Sequence, residues 1–109
     1  MRKKTITRGS GNVYKDLGFA NANEMQAKAV IVSRIISIIE ERKWTQEKAA
    51  KSLGSPQPKV SLLCRGQFSG VSLGKLIHYL NRLNQDVEIV IKDKSTSSKY
   101  MGRLNVVYA

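Results

Sequence analysis

The stretch "TQEKAAKSLGSPQPKVSLL", residues 45–63, contains both prolines of the chain between two segments of helical composition. Gly54 suits the left-handed turn that ends a short helix. Ser55 is the expected N-cap of the next helix, which places Pro56 at its first position and Pro58 at its third. The N–H groups of a first helical turn have no intrahelical acceptor, so neither proline removes a hydrogen bond. The stretch therefore predicts two short helices joined by a tight glycine turn.

Two short helices that cross at a glycine turn form a helix-turn-helix, and this motif restricts the residue types inside it. The crossing needs a small residue on the first helix, and the turn needs glycine four residues later. A β-branched or aliphatic residue six positions further on fills the angle between the helices. The matching positions are Ala50, Leu53, Gly54, Val60 and Leu63. The alternative is a helical hairpin that has a glycine turn and no binding role.

The charge of the chain indicates the class of its partner. Nineteen Lys and Arg residues against eight Asp and Glu residues give a net charge of +11. From Lys43 to Arg82, seven basic residues accompany one acidic residue, Glu47. Such an excess favours a polyanionic partner, because it destabilises a small globule by self-repulsion. Nucleic acid fits better than a membrane surface or an acidic protein, and a solvated basic surface is the remaining alternative.

Composition argues against several other classes of protein. A chain of 109 residues fits one domain. Cys64 and His78 are the only cysteine and histidine, so neither an intrachain disulfide nor a metal cluster is expected. Cys64 is interpreted as a half-buried filler, with a redox switch as the alternative. We expect no cofactor, no metal and no enzymatic activity.

The location of the protein is also an expectation from composition. The most apolar run, residues 29–39, is too short to span a membrane and is interrupted by Arg34. The basic N-terminus has no apolar segment behind it and does not read as a secretory signal. We expect a soluble, cytoplasmic, nucleoid-associated protein that does not bind membranes.

The hydrophobic pattern divides the chain into three parts. Residues 1–18 are expected to be a flexible basic arm with an anchor segment, and residues 19–92 a helix-turn-helix DNA-binding domain. Residues 93–109 are expected to be a connector and a strand. The first helix should begin at a capping box on Asn21 and end near Lys43. The predicted fold is mainly α, a bundle of four to five helices with a small C-terminal β-strand or hairpin.

Alternating apolar residues predict the two C-terminal strands, over residues 86–92 and residues 103–108. An isolated two-stranded ribbon is marginally stable in water. These strands must therefore pack on the helices or pair with another chain.

Residues 45–91, with "TQ", "AA", "LG", "QPKVS", "RG" and "FSG" in order, resemble the lambda-repressor-like, XRE-type helix-turn-helix domains. They are most similar to the branch that includes HigA-like antitoxins, which "SGNVYKDLG" (residues 10–18) and "GRLNVV" (residues 102–107) also resemble. Cys64 and Gly74 depart from this pattern, and the tail beyond Lys94 is variable in the family.

The resemblance implies a repressor of its own operon that also neutralises a toxin, a ribosome-dependent mRNA interferase. The alternatives are a regulator of the XRE type without a toxin, or a module that chiefly caps a toxin. In the last case residues 1–11 and "NVYKDLGF" (residues 12–19) are the candidate toxin contacts.

The resemblance also implies that a helix from Pro56 to Arg65 enters the major groove of DNA. Gln57 is the expected base reader because its amide can pair bidentately with adenine. Lys59 and Ser61 are expected to follow it, exposed on the same side. Each lysine could equally be a solvated charge. The expected phosphate contacts are Gln46, Lys43, Lys48, Arg65, Gln67 and Ser69.

A homodimer on a palindromic operator is expected, because one short helix reads only a few base pairs. The candidate interfaces are the C-terminal strands or the outer faces of the first and fourth helices.

Overall fold

The structure, a computed structural model, describes residues 19–93 and 102–108, with side chains described from Ala22 onward. Four helices occupy this part of the chain: α1 (Phe19–Glu41), α2 (Gln46–Leu53), α3 (Gln57–Cys64) and α4 (Leu73–Arg82). The mainly α prediction is confirmed. The predicted arm over residues 1–18 and the predicted connector over residues 94–101 lie outside the described residues. None of the described helices combines the length and the apolar character that a membrane span requires.

The described residues divide into two units, one of residues 28–91 and one that includes residues 19–27, 92–93 and 102–108. In the first unit, side chains from all four helices form a core of aliphatic residues and one tyrosine. α1 contributes every third or fourth residue, the spacing that keeps side chains on one face of a helix. The core residues are Ile31, Val32, Ile35, Ile38, Ile39, Ala49, Ala50, Leu53, Val60, Leu63, Leu76, Tyr79, Leu80 and Leu83.

The ends of α1 differ from those predicted. The helix has already begun at Phe19, so Asn21 lies within it rather than at its N-cap. Ala20 and Ala22 favour this extension, because alanine is the strongest helix former. The helix ends at Glu41, two residues before the predicted end, and Lys43 takes a left-handed conformation with φ of 56°.

The two short helices and their turn follow from local capping interactions. Thr45 is the N-cap of α2, and its hydroxyl accepts a hydrogen bond of 3.1 Å from the backbone N–H of Lys48. At the other end, Gly54 has φ of 69° and ψ of 38°. The backbone N–H of Ser55 then donates to the carbonyl of Ala50 at 3.0 Å. The predicted sequence of helix, glycine turn and helix is present.

The prediction that Ser55 caps the next helix is wrong. The N-cap of α3 is Pro56, with φ of −60° and ψ of 143° and no side-chain capping bond, so Pro58 is at the second helical position. The hydroxyl of Ser55 instead accepts a hydrogen bond from the hydroxyl of Tyr79. Pro56 at the N-cap and Pro58 in the first turn both occupy positions whose N–H would have no intrahelical acceptor, so neither proline removes a helical hydrogen bond.

The two predicted C-terminal strands are absent from the described residues. After α4, residues 85–93 contain neither helix nor strand, and the same is true of residues 102–108. Ile89, Val90 and Ile91 are 75%, 74% and 92% exposed. A β-ladder needs a partner strand, and the described parts of the chain offer none.

Candidate nucleic-acid interface

One side of α3 is buried and the other faces solvent. Val60 and Leu63 are 0% and 3% exposed and fix the inner side of the helix. Gln57 is the first residue of α3 and is exposed, and Lys59 is also exposed. Ser61 is half-buried. The helix therefore presents its N-terminal residues outward while its inner side packs into the core.

Lys59 and Ser61 were expected on the same side of α3, but they lie on different sides. Two positions along an α-helix differ by about 200° of rotation, so these residues occupy opposite edges of the outer face. Gln57 and Ser61 are four residues apart and do share a side. The expectation overlooked the buried position between Lys59 and Ser61.

Leu62 is a surface residue that the sequence analysis did not select. It is 38% exposed, whereas the neighbouring Leu63 is buried. Helical rotation places Leu62 on the outer face of α3, one turn after Pro58. Leu62 directly precedes Leu63, which the motif predicts to be buried. Neighbouring residues of a helix differ by about 100° of rotation, so the sequence alone could have indicated that Leu62 points elsewhere.

The N-terminus of α2 provides a second exposed surface. Gln46 occupies the first position of α2, directly after the capping residue Thr45, and is exposed. Trp44 is half-buried, and the Lys48 ammonium lies 5.8 Å from the centroid of its ring. The Arg42 guanidinium lies 5.0 Å from the same centroid. Cations within about 6 Å of an aromatic ring are attracted to it. Trp44 thus holds two positive groups beside the start of α2.

Arg42 also ties the end of α1 to the end of α4. Its guanidinium donates a hydrogen bond of 2.9 Å to the backbone carbonyl of Leu83. These residues are 41 positions apart, so no local pattern in the sequence could have revealed the contact.

The remaining predicted phosphate contacts are also on the surface. Lys43, Lys48 and Arg65 are exposed, and so are Gln67 and Ser69 in the loop after α3. The backbone N–H of Gln67 donates to the carbonyl of Leu62 at 2.9 Å, which fixes the start of this loop against the helix. Gly66, with φ of 80°, allows the chain to turn there.

Helix α4 supports the turn between α2 and α3 at two points. The buried Tyr79 donates its hydroxyl hydrogen to Ser55, with 3.1 Å between the oxygens. Arg82 donates from Nε to the carbonyl of Ser52 at 2.8 Å. A Cβ atom at Gly54 would lie 3.1 Å from Cζ of Arg82. These contacts fix the direction in which α3 leaves the turn.

The residues predicted to build the crossing lie in the core, apart from the turn glycine. Ala50 is 7% exposed and Leu53 is 1% exposed. Together with Val60 and Leu63 they line the angle between the two short helices, which contact each other. Gly54 stands at the exposed turn.

The one cysteine and the one histidine of the chain, Cys64 and His78, both belong to helices of the structure. Burial raises the pKa of the Cys64 thiol, and the negative charge of Glu40 raises it further. His78 is an exposed residue of α4. Among the described residues, no three His, Cys, Asp or Glu side chains are placed to share a metal ion.

Known proteins share this arrangement of helices. A family model described as "Helix-turn-helix domain" matches residues 13–92. A solved structure named "Putative XRE Family Transcriptional Regulator" is 39% identical, with a TM-score of 0.76; the match covers 82% of this chain and 99% of that one. No curated protein matches the chain. With the family match over most of its length and this structural relative, the chain belongs to the XRE-type helix-turn-helix family.

Proposed function

We propose that the protein is a sequence-specific DNA-binding transcriptional repressor, with α3 as the recognition helix in the major groove. The observation that carries the proposal is the placement of Gln57. Its side chain is exposed at the first position of a helix that Val60 and Leu63 anchor in the core. Tyr79 of α4 hydrogen-bonds to Ser55 just before that helix begins. Recognition helices of this motif contact base edges with their N-terminal residues.

The outer face of α3 divides into base-reading and backbone-contacting positions. Gln57 can pair with N6 and N7 of an adenine, and the Ser61 hydroxyl on the same side can bind a base or a phosphate. Leu62 offers an apolar contact to a thymine methyl group. Lys59, at the opposite edge, reaches the neighbouring phosphate backbone.

The phosphate contacts are proposed to flank this helix. Gln46 lies at the N-terminus of α2, where the helix dipole favours an anion. The Lys48 ammonium is held beside it by Trp44. The other proposed contacts are Lys43, Arg65, Gln67 and Ser69. These groups fix the register of the protein on the duplex without reading its sequence.

A homodimer on a palindromic operator follows from the size of the recognition helix. The eight residues of α3 read only a few base pairs. Two copies placed about 34 Å apart, one helical turn of DNA, would read two half-sites.

Substitution of Gln57 tests the proposal. The operator is first selected from a pool of random duplexes, and binding is measured by gel shift. Gln57→Ala should weaken operator binding by about 1–3 kcal/mol and relax the preference at one base pair of each half-site. Gln26→Ala, which removes an exposed glutamine of α1, is the matched control and should leave binding unchanged.

Lys59→Ala tests the backbone contribution separately. It should weaken binding to all sequences alike and reduce the slope of log K against log salt by about 1. The recognition-helix assignment fails if neither Gln57→Ala nor Lys59→Ala alters operator binding.

We further propose that the repressor is the antitoxin of a toxin–antitoxin pair. The support is the resemblance of residues 10–18 and residues 45–91 to the HigA-like branch. Co-expression with a small adjacent reading frame should yield a stable complex and relieve any toxicity of that partner. If the neighbouring product is neither toxic nor captured, the protein is a regulator without a toxin. Removal of residues 1–16 should abolish neutralisation while operator binding persists.

A further inference from the structure

We propose that Pro58 and Leu62 form an apolar ridge on α3 that recognises the C5-methyl group of a pyrimidine, either thymine or 5-methylcytosine, in the major groove. The inference rests on the proposed function, in which α3 enters that groove, and it extends the contact proposed for Leu62. It makes operator binding depend on one methyl group of the DNA and adds a second specificity element beside Gln57.

Pro58 lies at the centre of the outer face of α3, and it is exposed. Successive residues of a helix differ by about 100° of rotation, so Pro58 is about 160° from the buried Val60 and about 140° from the buried Leu63. Gln57 and Lys59 lie about 100° to either side of it. The residue that points most directly away from the core, and so toward the floor of a groove, is therefore a proline.

Leu62 extends this apolar surface by one helical turn. It follows Pro58 by four residues, which places the two side chains on the same side of the helix. Leu62 is 38% exposed although its neighbour Leu63 is buried. Neither Pro58 nor Leu62 has a side-chain donor or acceptor. When such a ridge displaces water from a polar base edge, the donor or acceptor of that edge loses its hydrogen bond, which is unfavourable.

The major groove offers one apolar group that suits this ridge. The base edges present donors and acceptors except at the C5-methyl group of thymine. 5-Methylcytosine carries a methyl group at the same ring position. The ridge is therefore complementary to a pyrimidine methylated at C5.

The position of Gln57 limits where this methyl group lies. Five residues separate Gln57 from Leu62, so the axial distance between them is about 7.5 Å. This distance corresponds to about two base-pair steps of roughly 3.4 Å each. The methyl group should therefore belong to the base pair that Gln57 contacts, or to one within two base pairs of it.

Replacement of thymine by deoxyuridine tests the inference, because it removes the methyl group and leaves base pairing and the protein unchanged. Each thymine in one half-site of the selected operator is replaced in turn, and Kd is measured by gel shift. Replacement of one thymine, within two base pairs of the pair at which Gln57→Ala relaxes the preference, should weaken binding about fourfold, as expected for one buried methyl-sized group. A half-site without thymine, or one in which no replacement matters, would overturn the inference.

Protein variants connect the methyl effect to the ridge. In Leu62→Ala and in Pro58→Ala, the same deoxyuridine replacement should weaken binding by less than about twofold, because the contact has already been lost. Lys59→Ala, at the edge of the outer face, is the matched control and should keep the full effect. Equal effects in all three variants and the original protein would show that the methyl group acts through the DNA alone, against the proposal.

Cytosine methylation tests the chemical class of the ligand. Duplexes with cytosine or 5-methylcytosine at the sensitive position both pair with guanine and differ only in the methyl group. The methylated duplex should bind about fourfold more tightly to the original protein, and this advantage should disappear in Leu62→Ala. Equal binding of the two duplexes by the original protein would contradict recognition of the methyl group.

The outcome is separable from that of the proposed function. An intact Gln57 effect without any methyl effect would refute the ridge alone. Loss of the Gln57 effect would instead refute the assignment of α3 as the recognition helix.

Discussion

The hydroxyl of Tyr79 lies 3.1 Å from the hydroxyl of Ser55, so a buried residue of α4 holds the residue that directly precedes the cap of α3. Ser55 belongs to the turn and Tyr79 to the core. The contact therefore connects the direction of α3 to a buried residue of the core.

Tyr79→Phe tests this connection, because it removes the hydroxyl and keeps the ring in the core. Loss of one hydrogen bond between neutral groups should lower the free energy of unfolding by about 0.5–1.5 kcal/mol in urea denaturation. Operator binding should weaken more than binding to unrelated duplex, because the N-terminus of α3 is less well placed. Ser55→Ala should have the same effects, and the double variant should add little to either. Additive losses would show that the two hydroxyls act independently.

Gly54 and Arg82 should be energetically coupled. Gly54→Ala places a Cβ atom on a backbone with φ of 69°, which costs about 1–2 kcal/mol, and brings it 3.1 Å from Cζ of Arg82. Arg82 must then move and weaken its bond to Ser52. A double-mutant cycle by urea denaturation should show that Gly54→Ala costs less in the Arg82→Ala background. Equal costs in both backgrounds would show that Gly54 and Arg82 are not energetically coupled.

Leu62 and Leu63 are adjacent on α3 and should respond differently to truncation. Leu63→Ala should lower the free energy of unfolding by about 2–5 kcal/mol, because the residue is buried in the core. Leu62→Ala, at a site 38% exposed, should cost less than about 1 kcal/mol and should instead lower operator affinity. Thermal denaturation and gel shift of the two variants separate these effects. A large stability loss in Leu62→Ala would place this residue in the core rather than on the binding face.

Lys43 should lower the stability of the fold and strengthen the binding of DNA. Its left-handed conformation, with φ of 56°, strains a residue that carries a Cβ atom. Lys43→Gly should therefore raise the free energy of unfolding by roughly 0.5–1 kcal/mol, after allowance for the greater chain entropy of unfolded glycine. The same variant should weaken DNA binding and reduce its salt dependence, because it removes a charge. Lys43→Ala is the control: it should weaken binding equally without the gain in stability.

The local features of the fold could be predicted from the sequence because their causes lie within a few residues. The caps at Thr45 and Ser72 each accept a hydrogen bond from a backbone N–H three residues later. The glycine at position 54 takes the left-handed conformation that its residue type allows. Short-range rules of capping and chirality determine these features, so the two short helices and their turn were predictable.

Contacts between distant parts of the chain were not predictable in the same way. Ser55 has the residue type of an N-cap, but a tyrosine 24 residues later binds its hydroxyl. Apolar and polar residues alternate over residues 86–92, as they do in a strand. The alternation predicts which residues would share a face, but it does not predict whether a partner strand is available. Pairing is a property of tertiary or quaternary structure, which a local pattern cannot supply.

The side of α3 on which each residue lies is an intermediate case. The rotation of about 100° per residue was available from the sequence and would have separated Lys59 from Ser61. It would also have identified Leu62 as an outward-facing residue. The buried position of Val60, which the motif predicts and the structure shows, defines the inner side from which these rotations are measured.

Trp44 is the one tryptophan of the chain, and the cations of Arg42 and Lys48 lie 5.0 Å and 5.8 Å from the centroid of its half-buried ring. Its fluorescence is therefore an intrinsic optical reporter at the edge of the proposed DNA-binding surface. When a phosphate draws Lys48 away from the indole, the emission should change in intensity and wavelength. Titrations with unlabelled duplex could then follow association in real time, without attaching a dye to either molecule.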